Sequence, residues 1–335
     1  MSDHAEELRR LVGDIVGGTP VADRSSSELW QTLWGLGLPL VGVDEARGGS
    51  GGTYEDLIAV VRTLGEYAVG APVAEMAVTS WVLAHDRAVA EQTTIAFGVD
   101  AVYEDELSTL RIPRVPWLRD ASAVVVYDRA GSVSYVEVGT PGVEVREGTN
   151  LADEPRDDLV LRGDAGTRLS AAPPMPQVRA RLALLRAAAV AGAVDGAYAL
   201  TRDYVMGREQ FGKPLARIPA VASSLAAMRV AGVQLDAALE RAVEQLSPAN
   251  GTSKAYLAAV AAAAVVAAET ATTVARTAHQ LHGAMGVTHE YPLHHYTKRL
   301  WSWPGEVGSE AHSAEYLGAL ALEHGESAVW DELTG

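Results

Sequence analysis

The 335-residue sequence contains no cysteine, which removes disulfides, thiol nucleophiles, Fe–S clusters and thiolate zinc sites together. Aromatics are scarce, 6% of the chain with only two phenylalanines, so a Phe in a polar stretch stands out. Basic residues are outnumbered: 27 Lys+Arg against 43 Asp+Glu give a net charge of −16. A surface this acidic repels phosphate backbones and anionic lipid heads, which argues against nucleic-acid or peripheral-membrane binding as the main task. Long apolar runs are missing too. The longest uncharged apolar stretch, Ala255 to Ala268, lies between Lys254 and Glu269 and falls short of the ~20 residues of a bilayer span. The start, Met1-Ser2-Asp3-His4, is acidic and lacks the basic flank and apolar core of a signal peptide, so a cytoplasmic location is expected.

What is present falls into three textures. Residues 1–90 read as helical. Ser25-Ser26-Ser27-Glu28 offers a capping box with Ser25 as N-cap, opening a helix whose Leu29, Trp30, Leu33 and Trp34 share one face. Gly48-Gly49-Ser50-Gly51-Gly52 reads as a turn, since a phosphate cradle needs a strand before it and Lys-Ser/Thr after it. A second periodic segment runs from Tyr54 to Leu64, with a stop at Gly65. Residues 91–172 read as β: Ala123–Tyr127 is a buried-type strand, Ser132–Val138 alternates with period two, and Asp128-Arg129-Ala130-Gly131 joins them as a hairpin. Asp158–Leu161 is a further strand. Residues 173–335 return to long helices, Val178–Met206, Ala220–Leu246, Ser253–Leu281 and Ala311–Glu323, punctuated by Gly207, Pro248 with Gly251, and Gly283. The expected fold is mainly α with a small β domain: an N-terminal helical domain, a middle β domain and a C-terminal helical bundle.

Two segments carry a chemical signal. Arg208-Glu209-Gln210-Phe211-Gly212-Lys213-Pro214-Leu215 follows a long helix, and on its own reads as a solvated turn. Phe211 is an odd core aromatic in so polar a stretch, and Arg208 beside it could fork onto a phosphate while the ring covers a sugar or base. His279-Gln280-Leu281-His282-Gly283-Ala284-Met285-Gly286 closes the Ala-rich helix, and on its own reads as a C-cap. Bare backbone N–H groups there can also approach a ligand. His279, His282, His289, His294 and His295 cluster in sequence, but they straddle a glycine turn and have only Glu290 near them, so no metal site is expected.

In this order and separation the motifs resemble the acyl-CoA dehydrogenase family over nearly the whole chain. Leu36-Gly37-Leu38 with Val43-Asp44-Glu45-Ala46-Arg47-Gly48-Gly49-Ser50-Gly51 is similar to its N-terminal Gly-rich loop. Tyr204 with Arg208–Leu215 is similar to its Arg-x-x-Phe-Gly-x-x-(Leu/Ile) signature, and Gln280–Pro292 to its Gln-x-x-Gly-Gly-x-Gly-(Tyr/Phe) segment. The resemblance implies the family fold, ending in a four-helix bundle and assembling as a dimer of dimers. It also implies FAD shared across a subunit interface and oxidation of an acyl-CoA thioester, with electron-transfer flavoprotein as the acceptor. Carried over by position, Arg208 meets the pyrophosphate, Phe211 stacks on the flavin side of the dinucleotide and Gln210 adds a hydrogen bond. Gln280 and Gly283 line the adenosine end, and Ala284 stands where the family has its second Gly.

The half that a catalytic subunit supplies for itself looks depleted. The family's Thr-Glu-Pro-x-x-Gly-Ser-Asp stretch has no counterpart between Ala90 and Val125, where Leu110–Trp117 cannot make its contacts. Counting forward from Pro292, Val307 falls at one family position of the base and Glu306 one residue early. In a helix that slip turns a side chain by about 100°; in a loop a single gap restores it. Otherwise Glu306 is a solvated carboxylate. The other family position of the base falls on Leu182. The resemblance therefore points to a non-catalytic subunit that completes the FAD pocket of a base-bearing partner, in a class that handles bulky acyl-CoAs such as steroid side chains. A self-sufficient homotetramer using Glu306, or a scaffold that binds no flavin, are the alternatives.

Overall fold

A computed structural model describes residues 3–334 apart from 90, 99–100, 105–108, 164–165, 247–250 and 307–309. Val307 and Pro248 therefore lie outside the described residues. The protein is mainly α with a small β region, and it divides into two compact units. One comprises Ser26–Leu57 and Gly70–Val178; the other comprises Met1–Ser25, Ile58–Val69 and Arg179–Gly335.

In the first unit, α2 (Ser27–Gly35) follows α1 (Asp3–Gly17) of the second unit in chain order. Its N-cap is Ser26, whose Oγ accepts the Leu29 N–H at 3.2 Å, so the helix starts one residue later than the expected box on Ser25. The glycine-rich loop folds as a turn, with Val43 and Gly51 bridged. Helix α3 (Tyr54–Glu66) leads to α4 (Val73–Leu83), which is apolar all round and almost wholly buried.

Two four-stranded sheets follow. The first contains β1 (Thr93–Phe97), β4 (Ala123–Tyr127), β5 (Val133–Glu137) and β8 (Thr167–Arg168) in that order, β1 parallel to β4 and the rest antiparallel. The β4–β5 hairpin closes where Asp128 Oδ1 accepts the Ser132 N–H at 2.7 Å. The second sheet runs β2 (Val102–Glu104), β3 (Thr109–Pro116), β7 (Arg156–Arg162) and β6 (Val143–Arg146), all antiparallel. Ile112, Val115, Leu118, Val124, Val136 and Leu159 close one apolar core across both sheets.

The second unit is helical: α1, the end of α3, most of α5 (Met175–Gly207), α6 (Pro219–Glu244), α7 (Lys254–His282), α8 (Leu293–Ser302), α9 (Glu310–His324) and α10 (Glu326–Thr334). Gly65, the expected stop, is followed by one more helical residue, Glu66. Gly65 sits at a helix crossing, where an added Cβ would lie 2.1 Å from the Ala189 carbonyl oxygen and one on Gly192 1.9 Å from that of Arg62. Arg62 pins the crossing by pairing with Asp195 at 2.8 Å and Asp236 of α6 at 2.6 Å. The alanine-rich face of α7 is buried, with α6, α8, α9 and α10 against it, which is the close packing its small residues allow. By length and composition α5 and the helical segment containing α7 match a membrane span, and most of the apolar window of α5 is buried within the protein. Ser25 is used here, its Oγ accepting from Arg299 Nη2 at 2.8 Å.

Candidate functional site

The site grows from the place where α5 ends. The Arg208 N–H donates to the Tyr204 carbonyl at 2.9 Å, and the chain then turns through a two-residue hairpin, β9 (Glu209–Gln210) against β10 (Lys213–Pro214). Its tip is Phe211-Gly212 with φ of 54° and 72°. Positive φ at both central residues defines a type I′ turn, which suits Gly or Asn. For a Phe the left-handed conformation costs about 1–2 kcal/mol. The ring gains no cover from its own chain in return, for Phe211 is 87% exposed.

Helix α6 starts beyond the hairpin with Pro219 in its first turn and no side-chain cap. Its first turn therefore presents unclaimed N–H groups and the positive end of the helix dipole. Helix α7 returns to the same end and stops at Gly283, whose φ of 58° and ψ of −137° only glycine adopts readily. A Cβ there would meet nothing within 4 Å, so the backbone is open to a ligand.

These ends enclose a groove of about 630 Å³. Arg208, Gln210, Gln280, Gly283 and Ala284 all line it, together with Ala220, Val221 and Ser224 from the first turns of α6. Among the described residues no carboxylate pairs with the Arg208 guanidinium. Phe211 follows Gln210 at the hairpin tip, and Met285 in the lining is partly exposed. The α6 contribution has no motif: the expected helix Ala220–Leu246 starts within one residue of the observed Pro219, but nothing in the sequence marks its first turns as part of a site.

One wall is a ring cluster. The His282 ring stacks on Tyr204 with centroids 4.4 Å apart and planes at 25°. His282 Nδ1 lies 2.8 Å from the Ala278 carbonyl, which can only accept, so Nδ1 carries the proton. Burial pushes its pKa down, leaving Nε2 as a lone pair for the Tyr291 hydroxyl at 3.2 Å. The Tyr204 hydroxyl donates to the His282 carbonyl at 3.3 Å, fixing the last peptide of α7.

His279 faces Thr297 and stacks on Trp301, while His289, His294 and His295 touch ring to ring. Among the described residues no three of His, Asp and Glu group as a ligand set.

Glu306 is not in the groove, and it is not solvated either. Its side chain is 6% exposed and its Oε2 lies 3.3 Å from Arg186 Nη2. It follows a single 3-10 turn, Trp303–Gly305. Leu182 is buried on α5.

Comparison with known proteins gives a family match for the part of the chain that carries the groove. The acyl-CoA dehydrogenase C-terminal domain matches residues 177–302, the stretch that holds α5 through α8. The acyl-CoA dehydrogenase FadE34 of Mycobacterium tuberculosis is 26% identical over 325 residues, covering 89% of this chain and 43% of its own length. The chain spans about two-fifths of the length of FadE34 and of a second mycobacterial relative, and about nine-tenths of two others. Among solved structures, a chain of the ChsE4–ChsE5 complex from M. tuberculosis superposes with a TM-score of 0.83 at 22% identity, covering 96% of this chain and 98% of that one. A chain of the Tcur3481–Tcur3483 steroid acyl-CoA dehydrogenase, G363A variant, gives 0.82 at 24%, covering 95% and 98%. Residues 177–302 thus match the acyl-CoA dehydrogenase C-terminal domain, and the chain as a whole has the acyl-CoA dehydrogenase fold. Its helical N- and C-terminal parts and middle β region are that family's fold.

Proposed function

We propose that this chain is the non-catalytic subunit of a hetero-oligomeric acyl-CoA dehydrogenase, whose groove completes the FAD pocket of a base-bearing partner. The observation that carries the proposal is the Arg208–Gln280 groove with a strained, outward-facing Phe211 beside Gln210, in a chain whose Glu306 is tied to Arg186. The donor set fits the adenosine diphosphate part of a dinucleotide. Arg208 and the open first turn of α6 neutralise and hydrogen-bond a pyrophosphate. The Gln280 amide and the bare backbone at Gly283 serve a sugar or base edge. The exposed Phe211 at the hairpin tip and Met285 in the lining supply apolar surface that a partner covers while excluding water. Bound FAD would supply the hydride acceptor for α,β-desaturation of an acyl-CoA thioester, with the α proton going to a carboxylate of the partner.

That two of the structural neighbours are two-component assemblies, one of them described as a steroid enzyme, supports a hetero-oligomer acting on a bulky acyl chain. The reading includes a division at 90 and 172 into helical, β and bundle domains, a cytoplasmic location, and electron-transfer flavoprotein as acceptor. Co-expression with a dehydrogenase-like partner tests it. FAD should co-purify with the complex and not with this chain alone, and Arg208→Ala plus Gln280→Ala here should strip it. Yellow protein from this chain alone that bleaches with an acyl-CoA supports the homotetramer. Full FAD in the doubly substituted complex supports a scaffold.

A further inference from the structure

The groove is made by two helix ends, and one side chain bears on both. Tyr204 stands one turn before Arg208 on α5, and its carbonyl accepts the Arg208 N–H at 2.9 Å. Its hydroxyl crosses to α7 and donates to the His282 carbonyl at 3.3 Å. His282 is the last residue of α7, so its carbonyl is one of those the helix leaves without a partner four residues on. The Gly283 N–H of the same peptide goes to the His279 carbonyl. The His282–Gly283 peptide is thus held from both sides, its oxygen by Tyr204 and its N–H by α7. The Tyr204 ring is placed as well. It stacks on the His282 imidazole with centroids 4.4 Å apart and meets Tyr291 edge-on at 5.7 Å. The imidazole is buried and fixed in turn, by the Ala278 carbonyl at one nitrogen and the Tyr291 hydroxyl at the other.

The chain beyond that peptide has little else to hold it. Gly283, with φ of 58° and ψ of −137°, takes the first central position of a type II′ turn, and a Cβ there would meet nothing within 4 Å. Glycine moves between backbone wells at little cost, so an untethered turn would meet a ligand in many orientations and lose that freedom on binding. A segment already fixed in its bound shape binds more tightly, because the ordering is done beforehand. Resting on the reading of the groove as half of a dinucleotide pocket, we propose that Tyr204 is its positioning residue. The hydroxyl locks the His282–Gly283 peptide, so that Gln280 and the Gly283 backbone face the ligand in register with Arg208, one turn along Tyr204's own helix. Tyr204 lines the groove, but its hydroxyl proton is committed to the carbonyl. It acts through the backbone and not by donating to the ligand.

The test is Tyr204→Phe, which keeps the stacked ring and deletes the hydroxyl. In the full chain, 13C at histidine carbonyls and 15N at glycine give two correlated NMR signals, from the His282-Gly283 and His324-Gly325 pairs. The first moves in Tyr204→Phe and the second stays. In the complex with the base-bearing partner, stripped of flavin and titrated with FAD, the dissociation constant rises about three- to tenfold, the worth of one net hydrogen bond. Tyr127→Phe is the structural control, since it deletes a buried hydroxyl that donates to the Pro173 carbonyl at 2.9 Å in the β region. It lowers the urea midpoint and leaves FAD binding within about twofold of native. The proposal is overturned if the Gly283 signal stays in place, if Tyr204→Phe binds FAD as the native complex does, or if Tyr127→Phe weakens FAD as much. Arg208→Ala plus Gln280→Ala separates the two readings. Loss of FAD in that double variant, with native binding in Tyr204→Phe, sinks this inference alone. Full FAD in the double variant sinks the groove reading and this one with it.

Discussion

Replacing Gly192 by Ala adds one methyl where α3 and α5 cross. The new Cβ would sit 1.9 Å from the Arg62 carbonyl oxygen, 2.7 Å from the Glu66 nitrogen and 2.9 Å from the Arg62 carbonyl carbon. All three are backbone atoms, so no side chain can swing away. Ordinary contact begins at 3.4 Å, and the two helices must part by about 1.5 Å to reach it. Overpacking of this kind costs about 1–3 kcal/mol, and the better helix propensity of Ala returns about 1 kcal/mol. With rigid neighbours the cost sits at the upper end, for a net loss of about 2 kcal/mol. Gly318 supplies the control. It lies exposed on α9 with nothing within 4 Å of its would-be Cβ, so Gly318→Ala should gain about 1 kcal/mol. Urea unfolding followed by tryptophan fluorescence reads both. A midpoint that rises in Gly192→Ala as it does in Gly318→Ala would refute the close crossing.

Two further outcomes follow from particular side chains. Phe211→Asn puts the favoured Asn-Gly pair into the type I′ turn; it should stabilise the isolated chain by about 1 kcal/mol in urea while lowering the FAD retained by the complex. A loss of stability in the isolated chain would mean that the ring is packed at home. Burial, then the charges of His294, Arg299, Lys298 and Arg24, push His295 down to about 4. Its folded value is below the ordinary 6.5, so its contribution is complete above that pH and is lost as pH falls towards 4. Burial of His279 and His282 acts in the same direction. His295→Gln should flatten the acid side of the unfolding midpoint against pH, and an unchanged slope would count against a buried neutral imidazole.

Sequence reasoning reaches the elements best where local pattern decides them. Ala123–Tyr127 forms because its run of valines suits a fully buried strand, and the strand after it because its apolar residues alternate; both stand as expected. The parallel pairing of β1 with β4 joins segments about thirty residues apart and leaves no local mark. The Ser25–Ser27 run offers three capping hydroxyls, and Ser26 wins because Ser25 is taken by Arg299. Gly65 reads as a helix stop by propensity, but the approach of the Ala189 carbonyl is what demands it. The groove was more legible than its residues' separation suggests. Helices α6 and α7 have 26 and 29 residues, about 39 and 44 Å at 1.5 Å each, so an antiparallel pair brings Gln280 back beside Arg208. Arg186 carries no local signal for Glu306, 120 positions away, and only the fold shows their pairing.

The exposed apolar side chains that follow α5 and α7 have a cost of their own. Phe211, Met206, Met285 and Val287 face solvent on a chain made alone, and an aromatic on a strained tip is a handle for indiscriminate association. Surplus copies would clump or be cleared by proteases and chaperones. On the proposed reading, making this chain in step with its partner would cover those side chains and limit that association.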